Sequence, residues 1–114
     1  MKTLKRGDIW LVNFDPSFGH EYKKMRPAVI VEADSFLTKS PLITLLPISS
    51  QLGKSTKLDI LVRKDEHNRL MKDSLIKVMQ VSSFDRRRLV KYIGFLVDDY
   101  QKRIDSALLD YLEL

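Results

Sequence analysis

The hydrophobic pattern of this chain changes its period once, near residue 98, and that change limits the possible folds. Before it, six short apolar runs are separated by polar segments, and each has the length and composition of a β-strand. They cover residues 9–14, 28–31, 42–48, 58–62, 75–81 and 92–96. After it, apolar residues recur at helical spacing, which predicts one amphipathic C-terminal helix; they are Tyr100, Ile104, Ala107, Leu108, Tyr111 and Leu112.

Strands that follow one another without helices between them argue against a doubly wound parallel sheet. We therefore predict a mainly β fold, a small and partly closed antiparallel barrel with a C-terminal α-helix. The 114 residues predict a single domain, 1–114, because a separate core usually needs roughly 100 residues. Pro47 lies inside the third run, so we expect a strand edge, a bulge or a strand end at that point.

Composition narrows the function. The chain has no cysteine, which excludes a thiol nucleophile and thiolate metal sites, and its two histidines stand apart, so we expect no metal and no other cofactor. A net charge of +5 favours a polyanionic partner, most simply nucleic acid. The longest uncharged stretch, residues 40–53, is shorter than the roughly 20 apolar residues that span a bilayer. With no signal-peptide core near the N-terminus, we expect a cytoplasmic protein that does not enter a membrane.

Several motifs carry a resemblance to a known family. Residues 6–10 read Arg-Gly-Asp-Ile-Trp, residues 14–16 read Phe-Asp-Pro, and residues 19–21 read Gly-His-Glu. Residues 26–31 read Arg-Pro-Ala-Val-Ile-Val, and residues 47–51 read Pro-Ile-Ser-Ser-Gln. In this order and spacing, the motifs resemble those of the MazF/PemK (Kid-like) toxins.

The resemblance implies an SH3-like barrel that forms a homodimer and acts as the toxin of a type II toxin–antitoxin system. It also implies metal-independent, sequence-selective cleavage of single-stranded RNA, including mRNA. In that reaction the 2′-hydroxyl attacks the adjacent phosphorus and leaves a 2′,3′-cyclic phosphate and a 5′-hydroxyl. The partner implied is a cognate antitoxin, whose acidic segment would cover the basic RNA groove.

Two residues fall on the family's catalytic positions. The resemblance gives Arg26 the role of stabilising charge on the phosphate, for which a planar, always charged guanidinium is suited. It gives Ser49 the role of a hydrogen-bond donor to a phosphate oxygen, because the substrate supplies its own nucleophile. Without the flanking motif, a surface ion pair would be the favoured interpretation of Arg26. Ser49 also fits a turn cap, with Ser50 as a neighbouring candidate hydroxyl.

The proton-transfer residues are less defined. A histidine side chain ordinarily titrates near pH ~6.5, so His20 is a candidate for proton exchange, and Glu21 beside it is able to orient the imidazole or to act as base. The resemblance ranks Glu21 above His20, since many relatives have Ser at the latter position. Some relatives use an acidic residue where this chain has Met79, and a thioether does not transfer a proton. Proton transfer therefore falls to Arg26, Glu21, His20 or a hydroxyl.

Further polar residues are candidates for contacts with the RNA backbone. They are Lys23, Lys24, Ser50, Gln51 and Lys77. We interpret the triplet Arg86, Arg87 and Arg88 as part of a solvated turn. The alternative function is a noncatalytic binder on the same fold, either a CcdB-like gyrase inhibitor or an RNA-binding module. The Trp-Gly-Ile end typical of CcdB-like poisons is missing, and this favours the nuclease.

Overall fold

The computed structural model describes residues 2–14 and 25–114. The strands are β1 (Asp8–Asn13), β2 (Met25–Ile30), β3 (Leu42–Ser49), β4 (Ile60–Val62), β5 (Ser74–Ile76), β6 (Ser82–Asp85) and β7 (Leu89–Phe95). The helices are α1 (Asp34–Leu37) and α2 (Asp98–Leu112), with 3₁₀ turns at Leu52–Lys54, Val78–Gln80 and Arg86–Arg88. The strands form one antiparallel sheet in the order β4-β5-β3-β2-β1-β7, and β6 also pairs with β3. The predicted mainly β fold with a C-terminal helix is confirmed.

The sequence prediction fails between residues 75 and 85. The run 75–81 is not one strand, because β5 ends at Ile76 and a 3₁₀ turn, Val78–Gln80, follows it. The strand β6 comes next and was not predicted, since Ser82 and Ser83 interrupt the apolar pattern on which the prediction depended. β6 pairs with the first half of β3, through Leu42 to Leu45. The short helix α1 was not predicted either, because four residues are too few to show a helical period.

Along one side, strand β3 pairs first with β6 and then with β5, and Pro47 lies between the two pairings. Its residues 42–45 pair with β6, and Ile48 and Ser49 pair with β5 on the same side. The Pro47 carbonyl accepts a hydrogen bond from the Lys77 amide at 2.9 Å in the gap between them. Because the amide and carbonyl of one strand residue point to the same side, the missing N–H of Pro47 falls in this gap. The strand itself runs on to Ser49, so none of the predicted edge, bulge or strand end is found at Pro47; the residue marks the change of pairing partner on one side.

The core is built on both faces of the central strands. One cluster packs Ile9, Val29 and Leu46 against α2, and the other surrounds Trp10, Ile30 and their buried neighbours. Strands buried on both faces read as continuous apolar runs, which is why β1, β2 and β3 were readily located from the sequence. Within the described residues, no helix is long and apolar enough to cross a membrane.

The segment between β4 and β5, residues 63–73, bridges the two edges of the sheet. The amide of Phe95 in β7 donates to the His67 carbonyl at 3.0 Å. Gly94 permits this approach, because a Cβ at that position would clash with the His67 carbonyl oxygen. Here the sheet is closed by a loop and not by a strand, and the barrel is therefore only partly closed.

Candidate active site

An open cleft of about 750 Å³ lies beside the ends of β2 and β3. Its wall includes four of the residues that the sequence singled out: Arg26, Ser49, Ser50 and Gln51. Apolar side chains from several strands and from the β4–β5 segment line it as well, among them Leu11, Pro27, Ile48, Leu70 and Ile93. The fold thus joins two sequence motifs, 26–31 and 47–51, at one surface.

The register of β2 and β3 explains why Arg26 and Ser49 meet. Ala28 is opposite Pro47, Val29 is opposite Leu46, and each step along one strand matches a step back along the other. Continuing that register by two residues brings Arg26 opposite Ser49. Residues opposite one another in an antiparallel pair have side chains on the same face. The strand pairing therefore places the two motifs, which are separate in the sequence, at the same end of the two strands.

Arg26 is half-buried and stands between two cavities. It lines the main cleft and also a smaller cavity of about 230 Å³, together with Phe14, Pro47 and Gln80. Within the described residues, its guanidinium takes part in no ion pair. The surface ion pair that was the alternative interpretation of Arg26 is thus not found among the described residues.

The hydroxyl of Ser49 already has one partner. Its Oγ accepts a hydrogen bond from the backbone amide of Gln51 at 3.2 Å, which is the turn-capping geometry considered for this residue. An accepted bond leaves the hydroxyl proton free for donation, because a hydroxyl carries both functions. Capping the turn and donating to a phosphate are therefore compatible, and the cap fixes the position of Oγ.

The charged residues of the cleft have one sign. Arg26, Arg69, Lys72 and Lys91 line it, and its described lining includes no Asp, Glu or His. None of the four cations takes part in an ion pair in the part of the chain that the structure describes. Sequence reasoning did not identify Arg69, Lys72 and Lys91 as site residues, since only the topology brings the segment 63–73 and β7 to the cleft beside Arg26. The cleft is thus an open, cationic surface.

Lys77, a predicted RNA-contacting residue, has a different position. Its Nζ lies 2.6 Å from Oδ2 of Asp59 and donates to the Lys54 carbonyl at 3.1 Å. The side chains of Lys77 and Asp59 are only 10% and 1% exposed. Burial alone would raise the pKa of Asp59, but the hydrogen bonds from Lys77 and Thr56 outweigh it, so this pKa lies below its usual value. Because the ammonium serves an internal ion pair and does not line the cleft, we leave Lys77 out of the site.

The arginines of the 3₁₀ turn Arg86–Arg88 are engaged within the fold. Arg86 donates to the carbonyls of Leu37 and Ser40, and Arg88 donates to the Asn13 carbonyl. Arg87 pairs with Asp85, and the hydrogen bonds from its side chain and backbone lower the pKa of Asp85 to about 2. The turn is found, but only Arg87 is exposed as a solvated turn predicts; Arg86 and Arg88 are half-buried against the fold.

Four of the predicted site residues lie outside the described residues: His20, Glu21, Lys23 and Lys24. Met79 belongs to the turn Val78–Gln80 and does not line the main cleft. Within residues 2–14 and 25–114, no group of three or more His, Asp or Glu side chains is placed to hold a metal ion.

Comparison with solved structures places the fold among toxins and their complexes. A MazE–MazF complex from Deinococcus radiodurans is 19% identical, with a TM-score of 0.83 over 100% of this chain and 99% of the other. Toxin MazF-mt6 of Mycobacterium tuberculosis is 18% identical, with a TM-score of 0.77 over 94% and 97%. An endoribonuclease in complex with its cognate antitoxin, from a mycobacterial species, is 14% identical, with a TM-score of 0.74 over 100% and 97%. At this identity the likeness shows a shared fold.

The sequence itself also matches a family model. That model describes the PemK-like, MazF-like toxins of type II toxin–antitoxin systems, and it matches residues 5–112. The match includes both motifs that meet in the cleft. The chain therefore belongs to the PemK-like, MazF-like toxin family of type II toxin–antitoxin systems.

Proposed function

We propose that this toxin is a metal-independent endoribonuclease that cleaves single-stranded RNA at the cleft. The observation that carries the proposal is the meeting of Arg26 and Ser49 at one end of paired strands, in a cleft whose described charges are all cationic. A polyanion is the ligand that such a surface attracts, and a hydroxyl beside a guanidinium suits a phosphate. The solved endoribonuclease of the same fold supports this assignment.

In the proposed reaction, the 2′-oxygen of one nucleotide bonds to the adjacent phosphorus, and the bond from phosphorus to the 5′-oxygen breaks. Negative charge grows on the non-bridging oxygens during this step. Arg26 stabilises that charge, and Ser49 donates a hydrogen bond to one of these oxygens. The products are a 2′,3′-cyclic phosphate and a 5′-hydroxyl.

Two protons move in this reaction. One leaves the 2′-hydroxyl, and one joins the departing 5′-oxygen. The described lining of the cleft offers cations and hydroxyls but no carboxylate or imidazole. We therefore assign the removal of the 2′-proton to Glu21 or His20, with Glu21 ranked first. The proton that joins the 5′-oxygen then comes from Arg26, from His20 or from a hydroxyl of the site. Lys23 and Lys24 remain proposed contacts to the RNA backbone, as do Ser50 and Gln51 in the cleft wall.

The partners follow from the family. We propose that the toxin acts in the cytoplasm as a homodimer and is inhibited by a cognate antitoxin. Two of the structures with this fold contain such a complex. An acidic antitoxin segment would compete with RNA for the cations of the cleft.

The test is incubation of the purified protein with mixed single-stranded RNA in EDTA, beside the Arg26→Ala variant. We expect cleavage by the unmodified protein with cyclic phosphate ends, identified by mass spectrometry. The variant should cleave roughly 100 to 1,000 times more slowly, the usual loss when one transition-state donor is removed. Its thermal stability should be unchanged, because Arg26 has no ion-pair partner among the described residues.

Two results would contradict the proposal. Cleavage by a folded Arg26→Ala variant at the normal rate would remove the catalytic assignment. Intact RNA, across diverse sequences, would favour the noncatalytic binder, and gyrase or an antitoxin would then be the partner to test.

A further inference from the structure

The segment 63–73 fixes its backbone with an unusual density of hydrogen bonds. Oδ1 of Asp65 accepts from the amides of His67 and Asn68 at 2.8 and 2.7 Å. Asn68 is 1% exposed, and its Oδ1 accepts from the amides of Asp65 and Leu70, each at 3.0 Å. Its Nδ2 donates to the Arg63 carbonyl at 2.9 Å. Because the side chains of Asp65 and Asn68 bond to backbone groups of the same segment, these bonds fix its conformation.

Two further contacts anchor the segment to the barrel. Its base is joined by a bond of 2.9 Å from the Lys64 amide to Oδ1 of Asp73. Its middle is docked on β7 through the His67 carbonyl, beside Gly94. Leu70 is 8% exposed and packs in the core. These contacts therefore fix the position of the residues on either side of Leu70 relative to the cleft.

Three outward side chains of this segment, those of Arg69, Met71 and Lys72, line the cleft. Met71 is 91% exposed, although apolar side chains are usually buried, and it lines the cleft. Arg69 and Lys72 line the same cleft and have no ion-pair partner among the described residues. Arg69 also has a φ of 53°, a left-handed conformation that costs energy for a residue with a Cβ. A hydrogen-bonded loop thus presents one exposed apolar side chain at the cleft, with a cation two positions before it in the sequence and another directly after it.

We propose that Arg69, Met71 and Lys72 form a preformed subsite for a nucleotide that flanks the cleaved phosphate of single-stranded RNA. Met71 packs on the face of the base, and Arg69 and Lys72 bind the phosphates on its two sides. An apolar group between cations matches the alternation of bases and phosphates along a single strand. This inference rests on the proposed function, because it takes RNA to be the polyanion in the cleft.

The charge part of the proposal is tested by RNA binding at several salt concentrations. The probe is a fluorescent 20-mer RNA of random sequence, and all proteins carry Arg26→Ala so that the RNA stays intact. The test variant is Arg69→Gln with Lys72→Gln. The control is Lys57→Gln with Lys102→Gln, which removes the same charge from two exposed lysines outside the cleft.

We expect the test variant to bind about tenfold more weakly and its plot of log affinity against log salt to flatten by about 1.4, since each lost contact with single strands contributes about 0.7. The control should keep both values. An equal effect in the control, or no detectable RNA binding by the parent protein, would overturn the subsite. So would an unchanged salt slope in the test variant.

The apolar part is tested with Met71→Ala, Met71→Leu and, as a control outside the cleft, Leu61→Ala. We expect Met71→Ala to weaken RNA binding about fivefold, with most of the loss restored in Met71→Leu, whereas Leu61→Ala has no effect. If Met71→Ala changed only the oligomeric state in sedimentation, Met71 would be a protein contact and the proposal would be wrong. The proposal would also be wrong if binding of a polyglutamate peptide, and not of RNA, depended on Arg69 and Lys72.

The outcome is separable from that of the proposed function. A protein that binds RNA through this subsite but does not cleave it would refute the nuclease and leave the subsite standing. A protein that cleaves RNA with all three side chains replaced, at normal affinity, would do the reverse.

Discussion

Cations near the same strands of this protein occupy two different environments, one with a carboxylate partner and one without. At the end of β5, Lys77 is buried against Asp59, and its ammonium has a carboxylate and a carbonyl as partners. In the cleft, Arg26 and the cations of the neighbouring segments are open to solvent and have no ion-pair partner among the described residues. The first group stabilises the fold, whereas the second is available to a ligand.

The difference has a physical origin. A buried charge without a partner is costly, so a lysine that enters the core must bring a carboxylate with it. A cation at an open cleft keeps much of its hydration and needs no internal partner. The absence of carboxylates from the described cleft lining therefore costs the fold little and leaves a strong attraction for a polyanion.

The largest expected effect is on the paired group. Asp59→Asn removes the charge that faces Lys77, and breaking one side of a buried pair typically costs roughly 3–5 kcal/mol in the free energy of unfolding. Denaturant unfolding at neutral pH measures this loss. Cleavage by the fraction that remains folded should be normal, because neither residue lines the cleft.

A double replacement sharpens this prediction. Asp59→Leu with Lys77→Met removes both charges, and a buried pair replaced by apolar groups is often close to neutral in stability. We expect the double variant to regain most of the stability that Asp59→Asn loses. If it were as unstable as the single variant, packing and not charge pairing would be the role of these side chains.

A smaller effect is expected on the cleft side. Ser49→Ala removes the hydroxyl that we propose as a donor to the phosphate, and a hydrogen bond to a charged group is worth roughly 1.5–3 kcal/mol, which predicts cleavage about 10 to 100 times slower. Ser49→Thr keeps the hydroxyl and should retain most of the activity. Single-turnover cleavage of RNA compares the three proteins, and an equal loss in both variants would assign the residue to packing.

The smallest effect concerns acid stability. The pKa of Asp59 is lower in the folded protein than its usual value of 3.8, so the folded state binds fewer protons at this carboxyl than the unfolded chain does. Its contribution to stability is complete above pH ~4 and is lost as the pH falls through the lower folded pKa. Unfolding between pH 7 and pH 2 should therefore show a shallower acid loss for Asp59→Asn than for the unmodified protein. An equal loss of stability on acidification in both proteins would contradict this prediction.

Much of the fold was predictable from the sequence because its central strands are buried. β1, β2 and β3 carry apolar residues on both faces, and α2 shows a clear helical period. β6 was missed because it is short, begins with two serines and is positioned by its pairing with β3. Long-range pairing of this kind leaves no mark in a local pattern.

The residues of the cleft and its surroundings also differ in how far local sequence reveals their position. Arg26 and Ser49 were singled out because they lie in motifs that resemble a family, and the structure places both in the wall of one cleft. Lys77 was misjudged because its partner, Asp59, is 18 positions away and nothing local reveals that the two are buried together. The position of Arg69 and Met71 at the cleft could not be predicted, because it depends on the hydrogen bonds that Asp65 and Asn68 accept from backbone amides of the segment.

The most direct test measures unfolding free energy and RNA cleavage in parallel for Arg26→Ala and Asp59→Asn. We expect opposite losses: Arg26→Ala keeps its stability and loses cleavage, whereas Asp59→Asn loses stability and cleaves normally while folded. An Asp59→Asn protein that is stable but inactive, beside an Arg26→Ala protein that is active, would contradict the assignment of the cleft cations to RNA.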